Sequence, residues 1–297
     1  MVCGSHDYSQ RRPGVLWTKL DQRDCHWRLR NQSQDHLGHL LELHSLEGVQ
    51  PLARENIIQT YLVLAAKVPG VRQESSPDRV LSHGPEAVSF TSFAGRLNWP
   101  SQAEAEKGLA ELAELHPSPS LFVVEGDSSC LTEKFLFDHG WMIKYELSQM
   151  AWMGKACDCD LSLAESVHPR DRAETSAFMT DQFFTHGSHE LRQAIVSATA
   201  LAPVHLFSYA PTREIEGAVM LSLTEGCMGL YNLCVHSSKR GKGVGKGIVR
   251  WVQLQALARG QAVVLQCSQD LVRFYRECGF TVSGRMECWG RIPDHII

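Results

Sequence analysis

Residues 237–251 read SSKRGKGVGKGIVRW, with glycine at 241, 243, 245 and 247 and an apolar pattern of helical spacing directly behind them. Upstream, Leu230 to Val235 is an apolar segment suited to a buried strand. A strand that turns through glycines into a helix delivers bare backbone N–H groups to a helix N-terminus, where the helix dipole adds partial positive charge. Without Cβ atoms, successive N–H groups can point into one concavity, so a diphosphate can rest on main chain alone. A plain flexible turn does not need alternate glycines flanked by Arg240, Lys242 and Lys246 and followed at once by a helix.

Two phosphate-binding patterns fail here on spacing. A Walker loop requires two glycines with four residues between them, then Lys and Ser or Thr; Gly241 to Gly245-Lys246 is one residue short and Gly247 follows. The dinucleotide fingerprint G-x-G-x-x-G would put its third glycine on Lys246 or Ile248. What remains is Arg240-x-x-Gly243-x-Gly245.

The rest of the chain bounds the reading. Its 297 residues, 43% hydrophobic, suffice for one large core or two medium ones, and two domains are expected. A formal charge of −4 gives no basic excess for tracking phosphates, which argues against a nucleic-acid binder. The ten cysteines are scattered, several inside apolar runs, as buried thiols in a reducing compartment would be. The opening MVCGSHDYSQRRPG has no apolar core of a signal peptide, and no run of 18 apolar residues occurs, so a cytoplasmic protein without membrane association is expected. Cys157-Asp-Cys159 lacks metal-site spacing, and His36, His39 and His44 miss i,i+4 spacing, so no metal is expected.

Periodicity predicts two helices from Gln34 to Ala66, broken near Gly48 and Pro51, and a loop over 67–86. A helix over Ala103–Leu115, capped by Ser101, and a strand over Ser120–Val124 follow. After a connector at 154–162 come helices over Ala173–Phe184 and Ser188–Ala198, then strands over Val204–Tyr209, Glu216–Leu223 and Met228–Val235. Beyond the glycines lie a helix to Ala258, a strand over 263–267, a helix over Asp270–Glu277 and two short strands, an α/β order. Phe135–Trp141 (FLFDHGW) matches Phe274–Phe280 (FYRECGF). Each is preceded by an apolar strand and a serine (Ser129, Ser268), which points to an internal duplication.

In this setting LYNLCVHSSKRGKGVGKGIV, residues 230–249, resembles the fourth strand, phosphate loop and third helix of the GCN5-related N-acetyltransferase (GNAT) family. That family's Arg/Gln-x-x-Gly-x-Gly/Ala loop binds the pyrophosphate of acetyl-CoA. Ser268 to Phe280 is similar to its strand-to-helix segment ending in Tyr-x-x-x-Gly-Phe. The resemblance covers about residues 162–297 and only faintly the first half. It implies a GNAT-like mixed central sheet flanked by helices in a tandem of two such domains: residues 1–153 a degenerate acetyltransferase-like domain, residues 162–297 the catalytic one. It further implies acetyl-CoA as co-substrate, held by Leu233, Cys234, Val235, Arg240, Gly241, Lys242, Gly243, Val244, Gly245, Lys246 and Ser268. Backbone amides near Leu233 to Val235 would polarise the thioester, the Tyr275 phenol would protonate the departing thiolate, and the acetyl group would pass directly to a primary amine of a small molecule.

The sequence departs from the family at the base. An alkylammonium has a pKa of about 10.4 and must lose a proton before it attacks. The family often places a carboxylate on the fourth strand, where this chain has Tyr231 and Asn232, so a water held by Asn232 is a candidate alongside Glu225, Glu190 and His189. Cys234 has no histidine partner and reads as a buried thiol. In the first half Leu136 stands where the repeat puts Tyr275, and the acidic Ser101-Gln-Ala-Glu-Ala-Glu replaces a glycine loop. No second CoA site is expected there; that half should pack against the active one and wall off part of the acceptor pocket. Two alternatives stay open: a non-catalytic acyl-CoA-binding regulator, and an acyltransferase acting on a protein amine.

Overall fold

The computed structural model describes residues 45–154 and 167–292. The expectations for residues 34–44, for the histidines among them, and for Cys157 and Cys159 lie outside the described residues.

Ser45 opens the first described helix, α1 (Leu46–Ala65), by accepting the Gly48 N–H at 3.1 Å. α1 continues through Gly48 and Pro51, where a break was expected. Pro51 stands on the exposed side, while Val49, Ala53, Ile57 and Ile58 bury the other face almost completely. That burial outweighs the roughly 3 kcal/mol an interior proline costs. The stretch expected as loop over 67–86 holds two strands, β1 (Arg72–Ser75) and β2 (Val80–His83). All four residues of β1 are exposed on a sheet edge, so no apolar alternation marks it.

β3 (Phe93–Gly95), α2 (Gln102–Ala113), β4 (Ser120–Val124), α3 (Glu133–Asp138) and β5 (Trp141–Trp152) complete the first run. The second comprises β6 (Val167–His168), α4 (Arg172–Phe183), α5 (His189–Leu201), β7 (His205–Tyr209), β8 (Gly217–Thr224), β9 (Cys227–Val235), α6 (Val244–Leu257), β10 (Ala262–Cys267), α7 (Val272–Glu277) and β11 (Thr281–Arg291). The eleven described strands form one mixed sheet in the order β1-β2-β3-β4-β11-β5-β10-β9-β8-β7-β6.

Within it, β1-β2-β3-α2-β4-α3-β5 and β7-β8-β9-α6-β10-α7-β11 follow the same plan. Each has an antiparallel meander whose third strand pairs parallel with the fourth. The short helices α3 and α7 are each followed by a left-handed glycine, Gly140 and Gly279, with φ of 78° and 85°. The final strands are exchanged: β5 pairs with β10, β11 pairs with β4, and the two pair with each other from Thr281↔Ala151 to Arg291↔Trp141. The two short strands expected at the end of the chain are therefore one strand of 11 residues, long because it spans both β4 and β5.

α2, α3, α6 and α7 cover one face of the sheet, burying Leu109, Leu136 and Trp289 on one side and Val252, Val263 and Phe280 on the other. α1, α4 and α5 cover the opposite face. α1 lies over its centre, against β8, β9, β10, β5 and β11, so a helix of the first run roofs strands of the second.

An ion pair between Arg54 and Asp127 ties α1 to the turn after β4. The Asp127 side chain is 2% exposed, and burial outweighs its bonds to the Val124 N–H and to Arg54, pushing the carboxyl up to about 6. An acid whose folded pKa is raised costs stability at neutral pH, and that cost is lost as pH falls through about 6. At about 1.4 kcal/mol per unit the effect reaches about 3 kcal/mol. Chemical denaturation should therefore show stability rising from about pH 7.5 to about pH 5, and Asp127→Asn should flatten that rise. An equal slope in the variant would rule Asp127 out as its source.

Candidate active site

β9 and β10 share a parallel register only from Cys227↔Ala262 to Gly229↔Val264. Beyond it β9 continues to Val235 and β10 to Cys267 without pairing, so the sheet opens into a wedge. At the same level the register of β9 against β8 shifts, leaving Asn232 and Leu233 together opposite Val219. Asn232 has a left-handed φ of 49°, a conformation that asparagine tolerates better than other non-glycine residues. Such a bulge re-aims the strand's backbone groups and ends its pairing. Tyr231, Asn232 and Leu233 keep accessible surface although they lie far from either edge of the sheet.

The glycine stretch closes the same end of β9. Arg240 donates from Nε to the Val235 carbonyl at 3.1 Å, pinning the loop to the strand. Gly241 and Gly243 are left-handed, with φ of 74° and 83°, and α6 starts one residue later. Because Gly243 is the N-cap, no side chain accepts from the first turn of α6, and its N–H groups can receive an anion. Arg240, Lys242 and Lys246 are exposed around it. Lys246 reaches Glu277 of α7 at 2.9 Å, and Arg273 reaches the same carboxylate at 3.1 Å, which straps the two helices together. Gly245 is different: its φ is not left-handed, and a Cβ there would meet only Phe274 at 3.5 Å and Val235 at 3.7 Å. Nothing in the fold requires glycine at 245.

The matching helix of the first run is sealed. Ser101 accepts the Glu104 N–H at 3.3 Å and donates to the Glu104 carboxylate at 3.0 Å, so α2 begins with a filled, acidic cap.

Tyr275 stands on α7 with 6% of its surface exposed, edge-on to Phe274 at 5.0 Å and to Phe280 at 5.6 Å. Burial, then the neighbouring Cys267 and Cys278, hold its phenol protonated far above the usual tyrosine range. Cys267 ends β10, so this proton stands beside the β10 wall of the wedge. Ser268 follows, its carbonyl accepting the Leu271 N–H at 3.0 Å where the chain turns into α7. The Cys234 thiol is buried, directed at the Ala218 carbonyl, and pushed up to about 12 by burial, so it is no thiolate nucleophile. Leu233 and Val235 pack against the core beneath α6, and Val244 is buried in it. Glu225 lies in the β8–β9 turn, at the opposite end of β9 from Asn232, and His189 and Glu190 are exposed at the start of α5. Of the three, Glu225 therefore stands away from the wedge.

One feature had no local signal. Asn56 of α1 donates to the Ser222 carbonyl at 3.1 Å and to Thr224 Oγ1 at 2.9 Å, and accepts from the Tyr231 hydroxyl at 2.7 Å. Gly229 makes room for it: a Cβ there would lie 2.0 Å from Asn56 Oδ1. Among the described residues no cluster of His, Cys, Asp and Glu could hold a metal, and no helix is long and apolar enough to cross a membrane.

A profile of the acetyltransferase (GNAT) domain matches residues 204–282, from β7 to the start of β11. No curated protein matches the chain. Among solved structures, a GCN5-related N-acetyltransferase from Kribbella flavida is 15% identical and superposes with a TM-score of 0.59, over 84% of this chain and 97% of that one. A Drosophila protein is 13% identical over 89% of this chain and 97% of its own, with a TM-score of 0.52. A GCN5-related N-acetyltransferase from Sphaerobacter thermophilus is 14% identical over 74% and 82%, at 0.50. At these identities the likeness is one of fold. The domain match, however, falls on the strands, glycine turn and helices that build the wedge, so residues 204–282 carry an acetyltransferase (GNAT) domain.

Proposed function

We propose that the protein is an acetyl-CoA-dependent N-acetyltransferase that passes the acetyl group directly to a primary amine of a small molecule, with residues 162–297 as the catalytic domain and 1–153 as a degenerate copy. The observation that carries this reading is the meeting, at one end of β9, of an uncapped helix start with a wedge between parallel strands. The N–H groups of Val244, Gly245 and Lys246, with Arg240 and Lys242 beside them, suit a diphosphate. The unpaired edge of β9 can bond the amides of a pantetheine arm, and the amides at Leu233 to Val235 suit a thioester carbonyl.

When bound, acetyl-CoA supplies a thioester whose acetyl carbon bonds to the amine nitrogen as its bond to sulfur breaks. The chain's residues then handle two protons. Tyr275, kept neutral by burial, donates one to the sulfur. Asn232, turned out of the strand by the bulge, holds a water that takes the other from the amine.

A free-thiol assay over a panel of primary amines tests the reading. Tyr275→Phe should lower kcat about 10²- to 10⁴-fold and leave the heat stabilisation given by CoA unchanged. Unchanged turnover would remove Tyr275 from the chemistry. The absence of a carboxylate at Tyr231 and Asn232 favours a second reading, an acyl-CoA-binding regulator, which predicts stabilisation by CoA with no thiol release from any amine.

A further inference from the structure

Past the end of β10 the wedge is bounded by β9 on one side and β5 on the other, since β5 pairs with β10 only from Ser148 to Trp152. On the α1 face, three tyrosines from three elements gather around it. Tyr231 of β9 bonds Asn56 of α1. Tyr61 of α1 packs edge-on against Phe122 at 4.9 Å. Tyr145 of β5 lies opposite Cys288 of β11, which packs in the cluster beneath α1 together with Phe122. The three phenols are close enough to act on one another: Tyr61 raises the pKa of both Tyr145 and Tyr231, second to burial in the first case and a smaller contribution in the second. They are nevertheless reachable, Tyr145 being 44% exposed and the other two half-buried. Deep position with retained accessibility marks the wall of a hollow.

The floor is polar and unpaired. Gln266 of β10 alternates with Val264, which packs under α1, and so faces the same side. Both of its side-chain amide atoms are buried without a hydrogen-bond partner. Its cross-strand neighbour Gln149, 1% exposed, is unpaired in the same way. Buried amides are normally satisfied, and a ligand that carries N–H groups would satisfy these. Among the described residues no Lys, Arg, Asp or Glu acts on the three phenols; the polar groups that do are Asn56, Thr60, Cys227 and Cys288, and Lys144 acts on Cys288 but on none of the phenols.

We infer that Tyr61, Tyr145, Tyr231 and Gln266 form the acceptor pocket, half of it supplied by the N-terminal half, and that it selects a primary amine with an aromatic or alkyl body and no carboxylate. The inference rests on the transferase reading above. Ring faces attract an ammonium group, and the Gln266 carbonyl accepts its N–H. Desolvation in the pocket favours the neutral amine, which hands its proton to the water proposed at Asn232, so no carboxylate base on β9 is needed. A substrate carboxylate would be buried here with no cation among those phenol partners to meet it.

The test uses the full chain, with thiol release from acetyl-CoA measured for phenethylamine and for phenylalanine, its carboxylated counterpart. Phenethylamine should be favoured at least about tenfold in kcat/KM, and Tyr145→Ala should raise its KM about tenfold, whereas Tyr145→Phe keeps the ring and a KM near wild type. Gln266→Leu, apolar and close in size, should raise the same KM. Stabilisation of each variant by CoA should equal that of the wild type, which separates the acceptor pocket from the CoA site. Preference for phenylalanine, an amine KM indifferent to both Tyr145→Ala and Gln266→Leu, or no turnover of either amine by a protein that CoA stabilises would each overturn the pocket. Failure of CoA to stabilise the protein would overturn the transferase reading itself, and the pocket with it.

Discussion

Gly245→Asp should leave the unliganded fold as stable as the wild type, or slightly more so, and reduce CoA affinity about 10³-fold, equivalent to about 4 kcal/mol. The two effects have opposite signs because one position serves two purposes. Residue 245 is the second residue of α6, where a carboxylate complements the helix dipole and contributes about 0.3–1 kcal/mol, and where almost any residue has better helix propensity than glycine. Its Cβ has room, since Phe274 and Val235 stand at ordinary contact distance. The same carboxylate would occupy the N–H groups proposed for the diphosphate and repel its charge. α2 already shows this state, with Ser101 and Glu104 closing a helix start that no anion can then use. Calorimetry with CoA, together with thermal denaturation of the unliganded variant, reads both signs. Wild-type affinity in a folded Gly245→Asp protein would remove the glycine loop from the CoA site.

Why this loop could be read from sequence, and other features could not, follows from the range of the forces involved. Strand, turn and helix lie within about twenty residues, and the left-handed conformations of Gly241 and Gly243 have a local cause that glycine alone announces. The repeat of FLFDHGW as FYRECGF pointed to duplication, because each copy ends a short helix on a left-handed glycine. It could not show that β5 and β11 change places, since strand pairing between residues more than a hundred positions apart leaves no pattern in either strand. The bulge did carry a faint mark, an asparagine inside the apolar run Leu230 to Val235. The continuity of α1 through Pro51 carried none: it is decided by packing against β8, β9 and β11, far away in the chain. The proposed acceptor walls were illegible for the same reason, because Tyr61 and Tyr145 stand far in the chain from Tyr231 and Gln266.

Gly229→Val should destabilise the fold by about 3–5 kcal/mol, through a contact between the two halves rather than through strand propensity. A Cβ at 229 would lie 2.0 Å from Asn56 Oδ1 and 2.4 Å from Tyr231 Cε2. Neither can step aside cheaply. Asn56 is fully buried and fixed by bonds to Ser222, Thr224 and Tyr231, while Tyr231 is held by that same bond. α1 must lift instead, and with it the burial of Val49, Ala53 and Ile57. Asn56→Ala alone should cost about 2 kcal/mol, because it leaves the Ser222 carbonyl and the Tyr231 hydroxyl unpaired. With Asn56 already shortened, however, Gly229→Ala meets less obstruction. The double variant should be more stable than the sum of the singles by about 1–2 kcal/mol in chemical denaturation. Strict additivity would mean that α1 does not dock through this gap. A positive coupling means that one missing side chain, three residues before the bulge at Asn232, lets the N-terminal half hold the strand on which the proposed chemistry depends.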